Sequence, residues 1–366
     1  MDDFSVSGIR RNHAATAAFN RWQVFVMLGR RLCESQRQLA RATGLRTSTI
    51  SNIIRDLKRL GFILDNGPIE ANRLGPKESR LAVNPDAAWA VGLKLDPVCH
   101  EIALVDAAGS TLAQCRLKAG MSWRQALRSA PSRVKALAAG AGVDEGLCAG
   151  LGISVSGIVD STRGVILYSR SFNMKNENLG SIGKELGLGP VAVERDVNCG
   201  LYAEHHVGSA RHYSSFLYYL IGIEISKYFH FGLGLMLKNS VFRGLSSAAG
   251  ELDLGLAPGS SEAGIANYEH FYRKCGLSLA SVVNVLDIGN IVIASDDPDF
   301  TSKRLEALRD QVMQSVIPVP TRKIEILQAQ LGFGGILQGA ALLALERHQR
   351  ALILKDTSPK RAKSQS

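Results

Sequence analysis

The stretch RTSTISNIIRDLKRLG, residues 46–61, carries the residue types and spacing with the plainest chemical use. At 100° per residue, Ile50, Ile53, Ile54, Leu57 and Leu60 fall on one face of a helix, and Ser48, Asn52, Arg55 and Arg59 fall on the opposite face. The outer face therefore offers hydroxyl, amide and guanidinium groups. These are the groups that hydrogen-bond base edges and phosphates in a DNA major groove. Arg46, Thr47, Thr49 and Ser51 add more of them around the first turn. Downstream, Arg73, Lys77 and Arg80 form a basic set suited to the minor groove or the phosphate backbone. The competing reading is a small helical domain for protein contact, whose polar face is merely solvated.

The elements around this helix must position it. Trp22, Phe25, Leu28 and Leu32 recur at helical spacing and predict a first helix from about Ala14 to Leu32. Ser35 and Gln38 form a capping box that starts a second, short helix. Gly44 ends it in the left-handed conformation, and Thr47 is placed to cap the third helix. Phe62 to Leu64 reads as a strand, Asp65-Asn66-Gly67 as a hairpin turn, and Arg80 to Val83 as the return strand. Helix, short turn, helix and basic hairpin together predict a winged helix-turn-helix that binds a double-stranded DNA operator.

Charge agrees with this placement. The 366 residues carry a formal net charge of +10, and residues 1–85 hold 14 Lys and Arg against 7 Asp and Glu. Residues 347–366 hold 6 against 1, while the stretch between holds 23 against 25. Basic flanks around a neutral body suggest a nucleic-acid module joined to a domain with another task. Hydrophobic residues at 46% and charged residues at 21% exclude disordered, collagenous and coiled-coil classes. No apolar run reaches the roughly 20 residues of a membrane span. Cys33, Cys99, Cys115, Cys148, Cys199 and Cys275 contain no C-x-x-C pair, so neither a disulfide framework nor a zinc site is read from them. The expectation is a soluble cytoplasmic protein with reduced thiols and no membrane partner.

From Ala88 the pattern becomes α/β. WAVGLKL, EIALVDAAG and TLAQCRL read as three successive strands, and Trp123 to Ala139 as a helix. AGLGISVSG and VAVERD are further strands, the latter followed by the helix VNCGLYAEHHVG. FLYYLIGIEI, NIVIAS and KIEILQA are later strands, with helices at about Lys303–Val316 and at GGILQGAALLALERH. The order recurs twice, compatible with a duplicated, two-lobed domain of mixed sheets flanked by helices.

These motifs, in this order, resemble the ROK family (repressors, open reading frames and sugar kinases). The resemblance runs from about Asn20 to Leu345 and rests on QLARATGLRTSTISNIIRDLKRLGFI, GISVSGIVDSTRGVI, ERDVNCGLYAEHHVG, VFRGLSSAAGEL and LGFGGILQGAAL. It implies a two-lobed actin-like ATPase fold behind a winged helix-turn-helix. The expected domains are 1–85 for DNA binding, 86–350 for effector binding and dimerisation, and 351–366 as a basic, disordered tail. Family kinases carry a loop of the type G-x-D-x-G-G-T-K. Here Lys94 stands at the Asp, and Asp96, Pro97, Val98 and Cys99 replace G-G-T-K. Proline removes a backbone donor, and a carboxylate repels phosphate. In a second glycine-rich phosphate segment Gly232 and Gly234 remain, with Tyr228 and His230 at the other glycine positions.

The resemblance implies sugar ligands at Asn173, at Asp196 in the family's N-D-x-N segment, and at Glu251 in A-G-E-x-G-H. The family's zinc ligands are absent: Leu254 stands at the His, the following PGSSEAGIANYEH holds no cysteine, and Ile265 and Asn267 stand at a ligand Cys and a sugar-binding Glu. The expectation is therefore no cofactor, no metal and no catalysis. The chain reads as a transcriptional regulator, a repressor of carbohydrate-related genes, with a sugar-like effector and a homodimeric or homotetrameric assembly. Two alternatives stay open: a sugar kinase with a fused DNA-binding head, and a regulator that no longer senses a sugar.

Overall fold

The apolar stripe at residues 50–57 becomes a helix in the protein, whose computed structural model describes residues 13–68, 79–223, 229–252, 268–296, 300 and 302–355. The described residues fall into two compact units. One contains those up to Asn84 together with those from Glu346, and the other is Pro85–Leu345.

The first unit begins with α1 (His13–Gly29), α2 (Gln36–Thr43) and α3 (Thr47–Arg59). Val24, Phe25 and Leu28 of α1, Leu39 of α2, and Ile50, Ile53, Ile54 and Leu57 of α3 are buried, so the three apolar faces form one core. Phe25 packs its ring 5.8 Å from Trp22 and 5.7 Å from Phe62. Helix α1 ends three residues earlier than the spacing predicts. At α2, Ser35 Oγ accepts from the Gln38 amide at 3.3 Å, but Gln38 Oε1 accepts from the Glu34 amide at 2.7 Å, one residue before the expected partner. Gly44 is left-handed, with φ 70°, as expected. Thr47 is not the cap of α3. Arg46 holds the capping position in extended backbone without a side-chain hydrogen bond, because Thr47 is already helical.

The hairpin also departs from its expected form. Strand β1 (Ile63–Pro68) pairs antiparallel with β2 (Ser79–Val83), with Asp65 opposite Leu81 and Pro68 opposite Ser79. Asp65-Asn66-Gly67 is thus an irregular stretch inside the ladder and not its tip. The Asp65 carboxylate accepts from Lys58 Nζ at 2.5 Å and from Ser79 Oγ at 2.8 Å, which holds it there. Arg73 and Lys77 lie outside the described residues.

The second unit is two lobes of one topology. In the first lobe, β3 (Trp89–Leu95), β4 (Glu101–Asp106) and β5 (Thr111–Arg116) run antiparallel, and α4 (Trp123–Ala141) leads to β6 (Cys148–Val155) parallel to β3. A three-stranded antiparallel sheet follows, β7 (Ile158–Asp160), β8 (Val165–Ser169) and β9 (Met174–Asn178). After α5 (Gly183–Leu186), β10 (Val191–Arg195) completes the sheet order β10-β6-β3-β4-β5 and leads into α6 (Asp196–His206).

The second lobe repeats the scheme. Strands β11 (Phe216–Ile223), β12 (Phe229–Leu237) and β13 (Ser240–Val241) are antiparallel. Then come α7 (Tyr268–Leu286), β14 (Asn290–Ser295), α8 (Ser302–Ser315), β15 (Glu325–Gln328) and α9 (Gly334–Ile353), giving the sheet order β13-β12-β11-β14-β15. In each lobe one central strand has antiparallel neighbours on one side and parallel ones on the other. The expected duplication is therefore real.

Each sheet is buried under its own helices. Leu93, Ile102, Leu127 and Ile153 share one core, and Leu217, Tyr219, Leu279 and Leu308 share another. A third core, with Val197, Leu201, Tyr218 and Ile336, joins α6 and α9 to the second sheet. At Gly339 a Cβ would lie 1.9 Å from the Cys199 carbonyl oxygen, so only glycine lets the two helix backbones meet. Helix α9 runs past its expected end at His348, and Ile353 is fully buried. Within the first unit, the Arg350 guanidinium lies 6.0 Å from the centre of the Trp22 ring, and Arg21 donates to the Lys355 carbonyl at 3.3 Å.

Candidate DNA-contacting helix and effector site

The outer face of α3 keeps its polar groups in solvent. Arg46, Thr47, Ser48, Ser51, Asn52, Arg55 and Arg59 are exposed, and Thr49 is half-buried. Arg55 Nη2 donates to Asn52 Oδ1 at 2.7 Å within the helix. Ser51 Oγ donates to Gln36 Oε1 at 2.9 Å, fixing α3 against α2. Arg80 Nε lies 3.0 Å from Glu34 Oε2, so it meets a phosphate only by leaving that pair. Exposed pairs of this kind are worth less than about 1 kcal/mol and exchange readily.

In the body, the loop after β3 binds its own anion. Asp96 Oδ1 accepts from the amides of Val98 at 2.9 Å and Cys99 at 3.2 Å, and its Oδ2 lies 3.1 Å from Lys94 Nζ. Lys94 also pairs with Glu101 at 3.6 Å. Burial pushes the Asp96 carboxyl up, but the Lys94 charge and the two amides outweigh it and hold the group below the ordinary carboxylate range. The amides of Val98 and Cys99 are thus already taken by a carboxylate of the chain. Gly232 and Gly234, read as remnants of a second phosphate segment, lie on β12 opposite Leu220 and Tyr218. A Cβ there would lie 3.2 Å from Val197 Cβ and 2.9 Å from Leu201 Cδ1, so these glycines serve the packing of α6. Tyr228 lies outside the described residues.

The three expected effector ligands are placed unequally. Asn173 is exposed in the turn between β8 and β9 with φ 50°, and its amide donates to the Arg170 carbonyl at 3.2 Å. No hydrogen bond joins it to Asp196 or Glu251 among the described residues. Asp196 opens α6, half-buried, where the helix dipole favours a carboxylate. Glu251 is brought to the same end of β10 by a residue that the sequence motifs did not single out. Arg195, 5% exposed, donates through Nη2 to Glu251 Oε1 at 2.6 Å and through Nη1 to the Ala249 carbonyl at 2.6 Å. The preceding residue makes the opposite pairing. Glu194, 2% exposed, receives Arg243 Nε at 2.8 Å and Nη2 at 2.5 Å on one oxygen. Its other oxygen accepts from the Arg195 amide and Asn198 Nδ2. Adjacent residues at the end of β10 therefore hold both ends of the coil 243–251. The signal in the sequence was Arg195 itself, which stands where N-D-x-N begins with Asn.

No group of His, Cys, Asp and Glu among the described residues is arranged to hold a metal ion. Leu254, Ile265 and Asn267 lie outside the described residues. The described residues supply no donor set for zinc, which needs thiolate or imidazole ligands in tetrahedral reach.

The duplicated sheets and the head of three helices and a hairpin define the class: a winged helix-turn-helix joined to a two-lobed actin-like body. Residues 98–256 match the model of the ROK family. The chain is 24% identical to the xylose repressor of Caldicellulosiruptor bescii over 244 residues, 66% of this chain and 59% of that protein. It is also 24% identical to the xylose repressor of Bacillus subtilis over 231 residues, 60% and 55% of the two chains. It thus spans less than two thirds of the length of these repressors. A solved ROK family transcriptional regulator, a homologue of the E. coli MLC protein, superposes with a TM-score of 0.70 at 18% identity, covering 93% of this chain and 99% of that one. A ROK family glucokinase from Streptomyces griseus, solved with glucose and AMPPNP, gives a TM-score of 0.58 at 19% identity over 70% of this chain and 99% of its own.

Proposed function

We propose that this protein is a cytoplasmic, DNA-binding transcriptional repressor that acts as a homodimer or homotetramer and whose body takes a sugar-like effector without phosphorylating it. The observation that carries the reading is α3. Its inner face is buried at Ile50, Ile53, Ile54 and Leu57, and its outer face presents Ser48, Asn52, Arg55 and Arg59 to solvent. A helix held that rigidly with its polar face free suits a major groove. The names of the similar repressors support the regulatory role and the sugar-like effector, with Asn173, Asp196 and Glu251 as its candidate ligands. Arg73, Lys77 and Arg80 are the candidate wing contacts. A two-fold assembly suits a helix-turn-helix, which reads paired half-sites about one helical turn apart.

The self-bound loop at Asp96 supports a body that is not a kinase. Genomic fragments selected on the protein, then tested by gel shift, are expected to yield a two-fold operator. Incubation with ATP and sugars is expected to yield no sugar phosphate above a no-protein control. Absence of any preferred duplex would overturn the regulatory reading, and turnover would overturn the non-catalytic one.

A further inference from the structure

We propose that Arg195 is the specificity-determining residue of the effector site: it engages Glu251 in place of a ligand and so disfavours neutral sugars that need both oxygens of that carboxylate. The inference rests on the reading of Asp196 and Glu251 as effector ligands.

A carboxylate grips a vicinal diol by accepting one hydroxyl on each oxygen. Glu251 Oε1 already accepts from Arg195 Nη2 at 2.6 Å, which leaves Oε2 as the oxygen open to a ligand. The two sides of the ion pair are unequally placed. The Glu251 side chain is 54% exposed and the Arg195 side chain only 6%. A ligand that took both oxygens would strand a buried guanidinium. Stranding a buried charge costs more than a charged hydrogen bond returns. The Ala249 carbonyl would keep Nη1, but the neighbouring carboxylate is not free to replace Glu251. Glu194 is filled by Arg243, the Arg195 amide and Asn198. The Arg195 Nε is also buried without a hydrogen-bond partner, so the guanidinium has little reserve to lose.

The exclusion is local. Asp196, one residue on, opens α6, and Arg195 caps that helix in extended backbone without a side-chain hydrogen bond, so a neutral side chain there removes no cap bond. A neutral side chain at 195 would return both Glu251 oxygens to a ligand and leave no charge to strand.

Calorimetry with D-xylose and D-glucose on the full chain tests this, using wild type, Arg195→Asn, Arg195→Gln and each neutral variant combined with Glu251→Gln. Two neutral variants are included so that poor folding of one leaves the other readable, with melting curves as the check. The expected result is affinity for at least one sugar raised tenfold or more in a neutral variant, and that gain lost when Glu251→Gln is added. A sugar bound by the variant and undetected in wild type supports the inference equally. Equal or weaker binding in both folded variants, or a gain that survives Glu251→Gln, overturns it. Operator binding by gel shift on the same samples reports separately on the regulatory reading, so failure of one is not mistaken for failure of the other.

Discussion

The head and the body treat their polar groups in opposite ways. On α3, Asn52 and Arg55 pair with each other, on the surface of one helix, and a groove can take over both. In the body, Lys94 with Asp96, Arg243 with Glu194 and Arg195 with Glu251 each join a buried or half-buried charge to a neighbour. The first arrangement displays chemistry, and the second has closed it internally. The loop after β3 likewise meets its own side chains, with the Val98 and Cys99 amides donating to Asp96.

The comparison breaks most visibly at Glu194. Arg243→Ala leaves a carboxylate that is 2% exposed without its cation, and a body less stable by about 3–5 kcal/mol is expected in urea unfolding. A loss under about 1 kcal/mol, the worth of an exposed pair, would mean that the charges are not closed on one another. Next comes the support of the displayed face. Leu57→Ala, at a site with no exposure, is expected to cost about 2–5 kcal/mol in the head and to remove operator binding. An unchanged gel shift would separate the groove-facing chemistry from the helix beneath it. Asn52→Ala and Arg55→Ala are each expected to weaken operator binding by about 1–3 kcal/mol. Full affinity in the double variant would return the outer face of α3 to mere solvation.

The smallest effect is read through pH. The folded carboxyl of Asp96 sits below its ordinary value, so it contributes stability above about pH 4 and loses it as pH falls through the folded value. Asp96→Asn is expected to flatten the acid limb of thermal stability, with its loss largest near neutral pH and vanishing below the folded value. An identical acid limb in variant and parent would show that the loop does not depend on the charge.

Much of this was legible in the sequence because it is periodic. The face of α3, the long strands and the twofold recurrence of their order follow from spacing alone. The sheet β7-β8-β9 was not legible, since MKNEN is polar and mostly exposed and carries no apolar alternation. Helix α7 and strand β12 also escaped the periodicity. Gly232 and Gly234 misled because a glycine that cradles phosphate and one that admits a helix look the same in one dimension. The Arg195–Glu251 pair spans 56 residues: each partner sits in a recognisable motif, but nothing local says that the two meet. Thr47 failed as a cap for a finer reason: a one-residue shift in where the backbone turns helical moves its hydroxyl out of position.

Helix α9 has a consequence in time. The unit that carries α3 is assembled from residues on both sides of the body in sequence, because it includes Ile353 and Arg350 as well as Trp22. During synthesis, the ribosome must therefore deliver residues 85–345 before the head can close its core. Domains ordinarily fold as they emerge, the first ones first. Here the unit that carries α3 is finished last, and a chain stopped within the body leaves it without the last two turns of α9.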